Sequence, residues 1–374
     1  MSLKIYAVGD MMLGEQPLCN NFGVSSVIKR RGPDYLFDNV RSLFNDGDIV
    51  FGNLECSIMS EDSVNGQEPK FFCAEPNVIE GLKNANFNVL SVANNHIMEN
   101  TDVLFWNTVQ LLRNNSIHPV GIANEIEIID VKGYKIAFLA YSFIEDNIPN
   151  SGYNKIYSEE PILQDIRKIR SDVDLIIISL HWGYEYVPYP SPDQIRIGRK
   201  LVDAGADIIL GGHPHVTQSY EIYKNRPIFY SLGNFIFDHT YITTTRESFI
   251  AEITIGDLRD SISVNVIPVI AKGECYQPQL LISPQAEASI KRVDTIRSTF
   301  EERSLSNYEE TIGDYDLLYR KYKKPAKRNM RVQFLKNFYR YSFSTMFNML
   351  GQCLGKRKGI LQTPPDNLTP SNRI

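Results

Sequence analysis

The stretch GADIILGGHPHVTQ (205–218) decides the fold. Residues 207–211, DIILG, form an apolar run of strand length with no polar face. Such a run suits a strand buried on both sides, as in parallel sheets covered by helices. Directly beyond it stand His213, Pro214 and His215. On a tight turn holding a proline, both imidazoles can face one cavity, or each can face a different ion.

Working outward, the same pattern recurs. DLIIISL (174–180) runs into His181, and NVLSVA (88–93) runs into Asn94, Asn95 and His96. DIVFGNL (48–54) ends on Asn53 and Glu55, and LKIYAV (3–8) reaches Asp10. KIAFLA (135–140) is a further strand of this kind. Helical stretches at about 35–45, 76–85, 102–114, 161–171 and 193–204 separate the runs, and Pro161 and Pro192 suit the starts of the last two. Strand–helix alternation specifies a layered α/β core. After Pro227 the pattern changes to consecutive strands, at 228–238, 249–255 and 261–270, and from about Ser283 it becomes helical.

In an open α/β sheet, ligands bind beyond the carboxyl ends of the strands. Five runs deliver a polar, metal-capable group there, and four of the six histidines belong to this set. Imidazole, carboxylate and amide oxygen together suit a divalent ion such as Mn, Fe, Zn or Mg. Taken singly, each motif has a plainer reading. Gly9-Asp10 and Asn94-Asn95 could be turns, and His181 beside Trp182 could be a packed core histidine. The conjunction argues otherwise, because buried polar groups without partners cost about 1–3 kcal/mol each.

Composition narrows the class. The 374 residues are 43% hydrophobic and 22% charged, which suits a globular chain rather than a disordered one. MSLKIYAVGD reaches an acid before any signal-peptide core could form, so a cytoplasmic protein is expected, peripheral to the membrane at most. Five scattered cysteines without a C-x-x-C suit reduced structural thiols. From Arg320 onward, 13 Lys and Arg face Asp366 alone, a balance of +12, while the rest of the chain carries −17. An acidic body is a poor partner for nucleic acid. The basic tail is a candidate for a membrane surface or an acidic partner, with residues 331–354 read as an amphipathic helix that either docks on the body or lies on a membrane.

The series GDMMLG (9–14), FGNLECS (51–57), VANNHIMEN (92–100), SLHWGYEY (179–186), GADIILGGHPHVTQ (205–218) and IFYSLGNFIFD (228–238) resembles the CapA/PgsA family, named for poly-γ-glutamate capsule synthesis. That family is similar to the calcineurin-like metallophosphoesterases, with their pattern D-x-H, G-D, G-N-H, H, G-H-x-H. The resemblance implies an α/β/β/α sandwich over residues 1–282, with a helical, basic extension over 283–374. It implies metal ligation by Asp10, Asn53, Glu55, Asn95, His181, His213 and His215, with His96 and Asn95 at the reacting centre. Met12 stands where the superfamily has a histidine, and Asn53 where it has a bridging aspartate, so one firm ion site and one weak or absent site are expected. The expected activity is metal-dependent, phosphoesterase-like hydrolysis of an anionic small molecule or polymer, in capsule or other cell-surface polymer synthesis. The alternative is a scaffolding subunit of a synthesis assembly with little turnover.

Overall fold

Alternate residues of the central apolar runs face two different cores, and this builds the layers. In LIIISLH, Leu175 and Ile177 join one buried cluster, while Ile176, Ile178 and Leu180 join another. A strand's side chains alternate in direction, so an all-aliphatic run must sit between two apolar layers. The computed structural model describes residues 2–346 apart from 61–70, 147, 149–151, 257–260, 274, 275, 302–304 and 342–345.

In chain order the strands are β1 (Leu3–Met11), β2 (Ile49–Leu54), β3 (Ser57–Ile58), β4 (Cys73–Ala74), β5 (Val89–Ser91), β6 (His118–Val120), β7 (Glu127–Val131), β8 (Tyr134–Ser142), β9 (Leu175–His181), β10 (Ile208–Gly212), β11 (Tyr220–Tyr223), β12 (Arg226–Phe229), β13 (Asn234–Ile236), β14 (Glu247–Ile255), β15 (Ile262–Ala271) and β16 (Pro278–Leu280). One sheet runs β16-β15-β14-β1-β2-β5-β6, with β13 added against β1, and the other runs β11-β12-β10-β9-β8-β7. The pairs β1–β2, β2–β5, β8–β9 and β9–β10 are parallel, so their carboxyl ends share an edge within each sheet.

The helices are α1 (Val24–Arg31), α2 (Arg41–Phe44), α3 (Val78–Asn84), α4 (Asp102–Asn114), α5 (Glu160–Ile169), α6 (Pro192–Ala204), α7 (Gln285–Glu301), α8 (Leu305–Ile312) and α9 (Tyr315–Lys336). Residues of α1, α3 and α4 pack in the cluster of the first sheet, and those of α5, α6 and α7 in the outer cluster of the second. The layers are therefore α/β/β/α. Ser191 caps α6 in a reciprocal pair with Gln194, and Thr101 caps α4 by accepting from Leu104 N–H.

Phe51 of β2 stacks on Phe138 of β8 across the sheets, at 6.4 Å between ring centroids and 7° between planes. Phe138→Ala is therefore expected to cost about 3–5 kcal/mol of unfolding free energy, read from denaturant melts.

Two expected elements come out differently. IFYSLGNFIFD is not one strand. It breaks at Gly233, with φ +77°, so that β12 pairs with β10 in one sheet and β13 with β1 in the other. The expected helix about 35–45 is a short 3₁₀ turn, Pro33–Phe37, followed by the four-residue α2.

The amphipathic helix expected over 331–354 is also corrected. Helix α9 ends at Lys336, capped at Asn337, and a 3₁₀ turn follows. Tyr341 then folds back onto the body: its hydroxyl donates to Leu18 O (2.9 Å) and its ring stacks on Phe334. Residues 342–345 and 347–354 of that reading lie outside the described residues. Among the described residues no helix is long and apolar enough to cross a membrane, and Cys19, Cys56 and Cys73 are buried.

Candidate metal centre

The two sheet edges meet at Asp10. It lies in register with Asn53 of β2 and Asn234 of β13. Asn53 Nδ2 donates to its Oδ1 (2.8 Å), and the His213 backbone N–H, beyond β10 in the second sheet, donates to its Oδ2 (3.0 Å). Gly212 permits this approach, since a Cβ there would stand 2.4 Å from Asp10 Oδ1. Gly212→Ala should displace the Asp10 carboxylate and lower divalent-ion affinity by about 10–100-fold, the usual cost of disturbing a ligand's support, as read by metal titration. The turn beyond β10 holds His213 and His215 at φ +93° and +58°, left-handed conformations that side chains rarely adopt. Such backbone persists where the surroundings enforce it, and it gathers at functional sites.

Glu55 is the hub. It follows β2, is 0% exposed, and neither carboxyl oxygen has a hydrogen-bond partner. Three imidazoles surround its Oε1: His96 Nε2 and His181 Nε2 each at 3.8 Å, and His215 Nε2 at 3.9 Å. Asp10 and His181 complete a group whose donor atoms all lie within 4.8 Å of one another. His181 Nε2 also lies 2.9 Å from Asn95 Oδ1.

Two of the imidazoles around Glu55 are oriented from behind. His215 Nδ1 donates to Asn234 Oδ1 (2.9 Å), which leaves Nε2 as the bare lone pair toward Glu55. His96 Nδ1 is held by Glu99 (2.5 Å), and its ring stacks on Phe72 at 4.3 Å. Such outer partners fix ring tautomer and direction in metal sites. His213 packs edge-on against His181 at 4.9 Å, and its Nδ1 is buried without a partner.

Asn53 differs from expectation. The Asn94 amide is fixed by its neighbours' backbone: Oδ1 accepts from His96 and Ile97 N–H, and Nδ2 donates to Leu54 O. Its Nδ2 therefore donates to Asn53 Oδ1 (3.1 Å), and Asn53 must present its nitrogen to Asp10 and His181. In this arrangement Asn53 braces Asp10 rather than offering an oxygen. Met12, the residue after β1, is wholly buried in the apolar core.

His239 is the residue that the strand-end reading leaves out. Its ring lies 5.2 Å from that of His215, at 86°. Gln16 is pinned to Asp238 by two bonds and accepts from His239 Nε2–H (3.0 Å), so Nδ1 carries a buried, unpartnered lone pair. The available signal was the same as elsewhere: His239 directly follows the apolar run NFIFD.

Burial sets the charges. It raises Asp10 to about 6, against the pull of Asn53 and the His213 N–H, and it raises Glu55 well above the usual range, with the Asp10 charge adding to the effect. It lowers His181 and His213 well below ordinary histidine, with neighbouring histidines adding, and takes His215 to about 3. Neutral imidazole is the ligating form of histidine, and the two carboxyl groups give up their protons when they ligate.

Six buried side-chain polar atoms lack partners among the described residues, and all but Arg170 Nε belong to Glu55, His213, Asn234 and His239. Two donors held about 2.1 Å from one divalent ion lie roughly 3–4 Å apart, which is the spacing around Glu55 and His181. The residues fit a divalent ion. Asp10, Glu55 and His181 are the group that could hold it.

Fold and site together define an α/β/β/α sandwich with a carboxylate–imidazole–amide centre at the joined sheet edges. The family model described as "Bacterial capsule synthesis protein PGA_cap" matches residues 4–239, and the chain belongs to that family. It is 32% identical over 284 residues to the capsule biosynthesis protein CapA of Bacillus anthracis, covering 71% of this chain and 67% of that one. It is 30% identical over 262 residues to the PGA biosynthesis protein CapA of Bacillus subtilis, covering 66% of each. The chain thus spans about two thirds of the length of these relatives. Among solved structures it is similar to a phosphatase from Mycoplasma pneumoniae, 14% identical with a TM-score of 0.46, over 74% of this chain and 96% of that chain.

Proposed function

We propose that the chain is a divalent-metal-dependent, phosphoesterase-like hydrolase of an anionic substrate, serving capsule or other cell-surface polymer synthesis. The observation that carries this reading is Glu55: two buried oxygens without partners, facing three imidazole nitrogens at 3.8–3.9 Å. When bound, a divalent ion supplies Lewis acidity, polarising a phosphoryl oxygen and acidifying water. The residues supply the rest. Asp10 and Glu55 give negative charge, Asn53 braces Asp10, and Asn234 fixes His215 in direction. His96, partly exposed and held through Nδ1 by Glu99, is the group placed to pass a proton to the leaving group through Nε2.

The capsule role rests on family membership and on the names of the two Bacillus relatives. A second reading, a scaffolding subunit with little turnover, is favoured by Asn53 and Met12, which remove two oxygen or nitrogen donors from a second ion. In either reading the basic segment from Arg320 onward is the proposed contact for an anionic membrane or an acidic partner.

Protein purified without chelator is expected to carry about one equivalent of divalent ion and to hydrolyse at least one member of a phosphoester panel, losing both after chelation. Bound ion without turnover across the panel favours the scaffold. Absence of ion after reloading removes the hydrolase reading.

A further inference from the structure

Two segments beside the metal group are wound against their preference. The loop leaving β9 holds Gly183 at φ +85° and Tyr186 at +69°, and the turn beyond β10 holds His213 and His215 at +93° and +58°. Tyrosine and histidine disfavour that left-handed region, so such backbone persists only where its surroundings enforce it. Loop and turn are bonded to each other. Trp182 N–H donates to Gly212 O (3.1 Å), and Tyr186 N–H donates to Pro214 O (2.8 Å), between the two histidines. The turn then sets the centre, since His213 N–H donates to Asp10 Oδ2 and His215 Nε2 faces Glu55 Oε1.

The loop is held from two sides. From the body, Gln218 Nε2 donates to Val187 O and Tyr189 O, both at 3.0 Å, and fixes its far end. The stretch before that leans on α9. Tyr184 sits between the rings of Tyr315 and Tyr319, each at 5.1 Å. Tyr186, 3% exposed, shares an apolar cluster with Tyr322, Ala326 and Met330 of the same helix. Tyr315 also donates its hydroxyl to Tyr189 O (2.6 Å). All of α9 lies beyond residues 4–239, the part that the family model matches.

We infer that Tyr184, Tyr315 and Tyr319 are positioning residues of the metal centre. Helix α9 clamps the β9 loop, the loop fixes the Pro214 turn through Tyr186 N–H, and the turn holds Asp10 through His213 N–H. This rests on the metal centre proposed above, and adds to it that ion affinity in this chain is set by a helix outside the matched region.

The test uses the full chain in two forms. In metal-free protein, amide hydrogen exchange is followed at Tyr186 and His213. Tyr315→Ala should speed exchange there by at least about 10-fold and leave β14 of the other sheet unchanged, the signature of a local opening. Titration with Mn should then show affinity lower by about 10-fold or more, the low end of what disturbing a ligand's support costs. Tyr315→Phe, which keeps the ring against Tyr184, should stay within a few-fold of wild type. Tyr184→Ala breaks the same grip from the loop side, so it should reproduce the loss, and it stands in if Tyr315→Ala does not fold. The double variant should lose no more than the weaker-binding single variant, because the two rings form one contact. A lower melting temperature with unchanged exchange at Tyr186 and His213, or with unchanged Mn affinity, marks a merely structural contact and overturns the inference. If wild type takes up no Mn, the hydrolase reading falls, and unchanged exchange at the two amides still overturns the role of α9.

Discussion

Glu55→Gln is expected to lower divalent-ion affinity by at least about 100-fold while leaving the protein folded. Changes behind a ligand cost about 10–100-fold, and loss of a ligand should exceed that. Glutamine keeps the volume of a wholly buried side chain, so no cavity opens. It removes the carboxylate whose Oε1 faces His96, His181 and His215. It also relieves the repulsion between buried Asp10 and Glu55, so the metal-free variant should melt no lower than metal-free wild type. His181→Ala should lose the ion to a similar degree. Metal analysis after dialysis, with melting curves, separates loss of the site from loss of the fold. Unchanged affinity in both variants would remove the assignment.

The second large effect belongs to His96. Its ring is held by Glu99 and Phe72 and stays partly exposed, unlike the other histidines around Glu55. His96→Ala is expected to lower kcat by about 10²- to 10⁴-fold, the usual worth of a positioned proton donor, with ion content unchanged. A variant that loses the ion instead makes His96 a ligand. One that keeps full turnover has no such group at 96.

The parallel strands made much of this centre readable in the chain. A strand buried on both faces is a bare aliphatic run, so Asp10, His181 and the pair His213/His215 stand out as the first polar groups beyond it. The layering follows from the same runs, because Ile176 and Ile177 have to find apolar neighbours on opposite sides. The direction of a single amide was not readable. Asn53 presents nitrogen because Asn94, 41 residues later, is locked by the backbone of Ile97 and Leu54. His239 escaped for a related reason: what prepares it is Gln16, 223 residues away. The break at Gly233 was hidden in a run that reads as one strand, since either sheet would accept Phe229 or Phe235. Nor does any local pattern in α9 announce that Tyr315 and Tyr319 will grip Tyr184.

The most direct measurement of the central claim is an anomalous-difference map from crystals of the full chain grown with Mn. A peak is expected about 2–2.3 Å from a carboxyl oxygen of Glu55 and a ring nitrogen of His181, with Asp10 in the same coordination group. No peak there at saturating Mn, with Glu55 still buried and unpartnered, would contradict it.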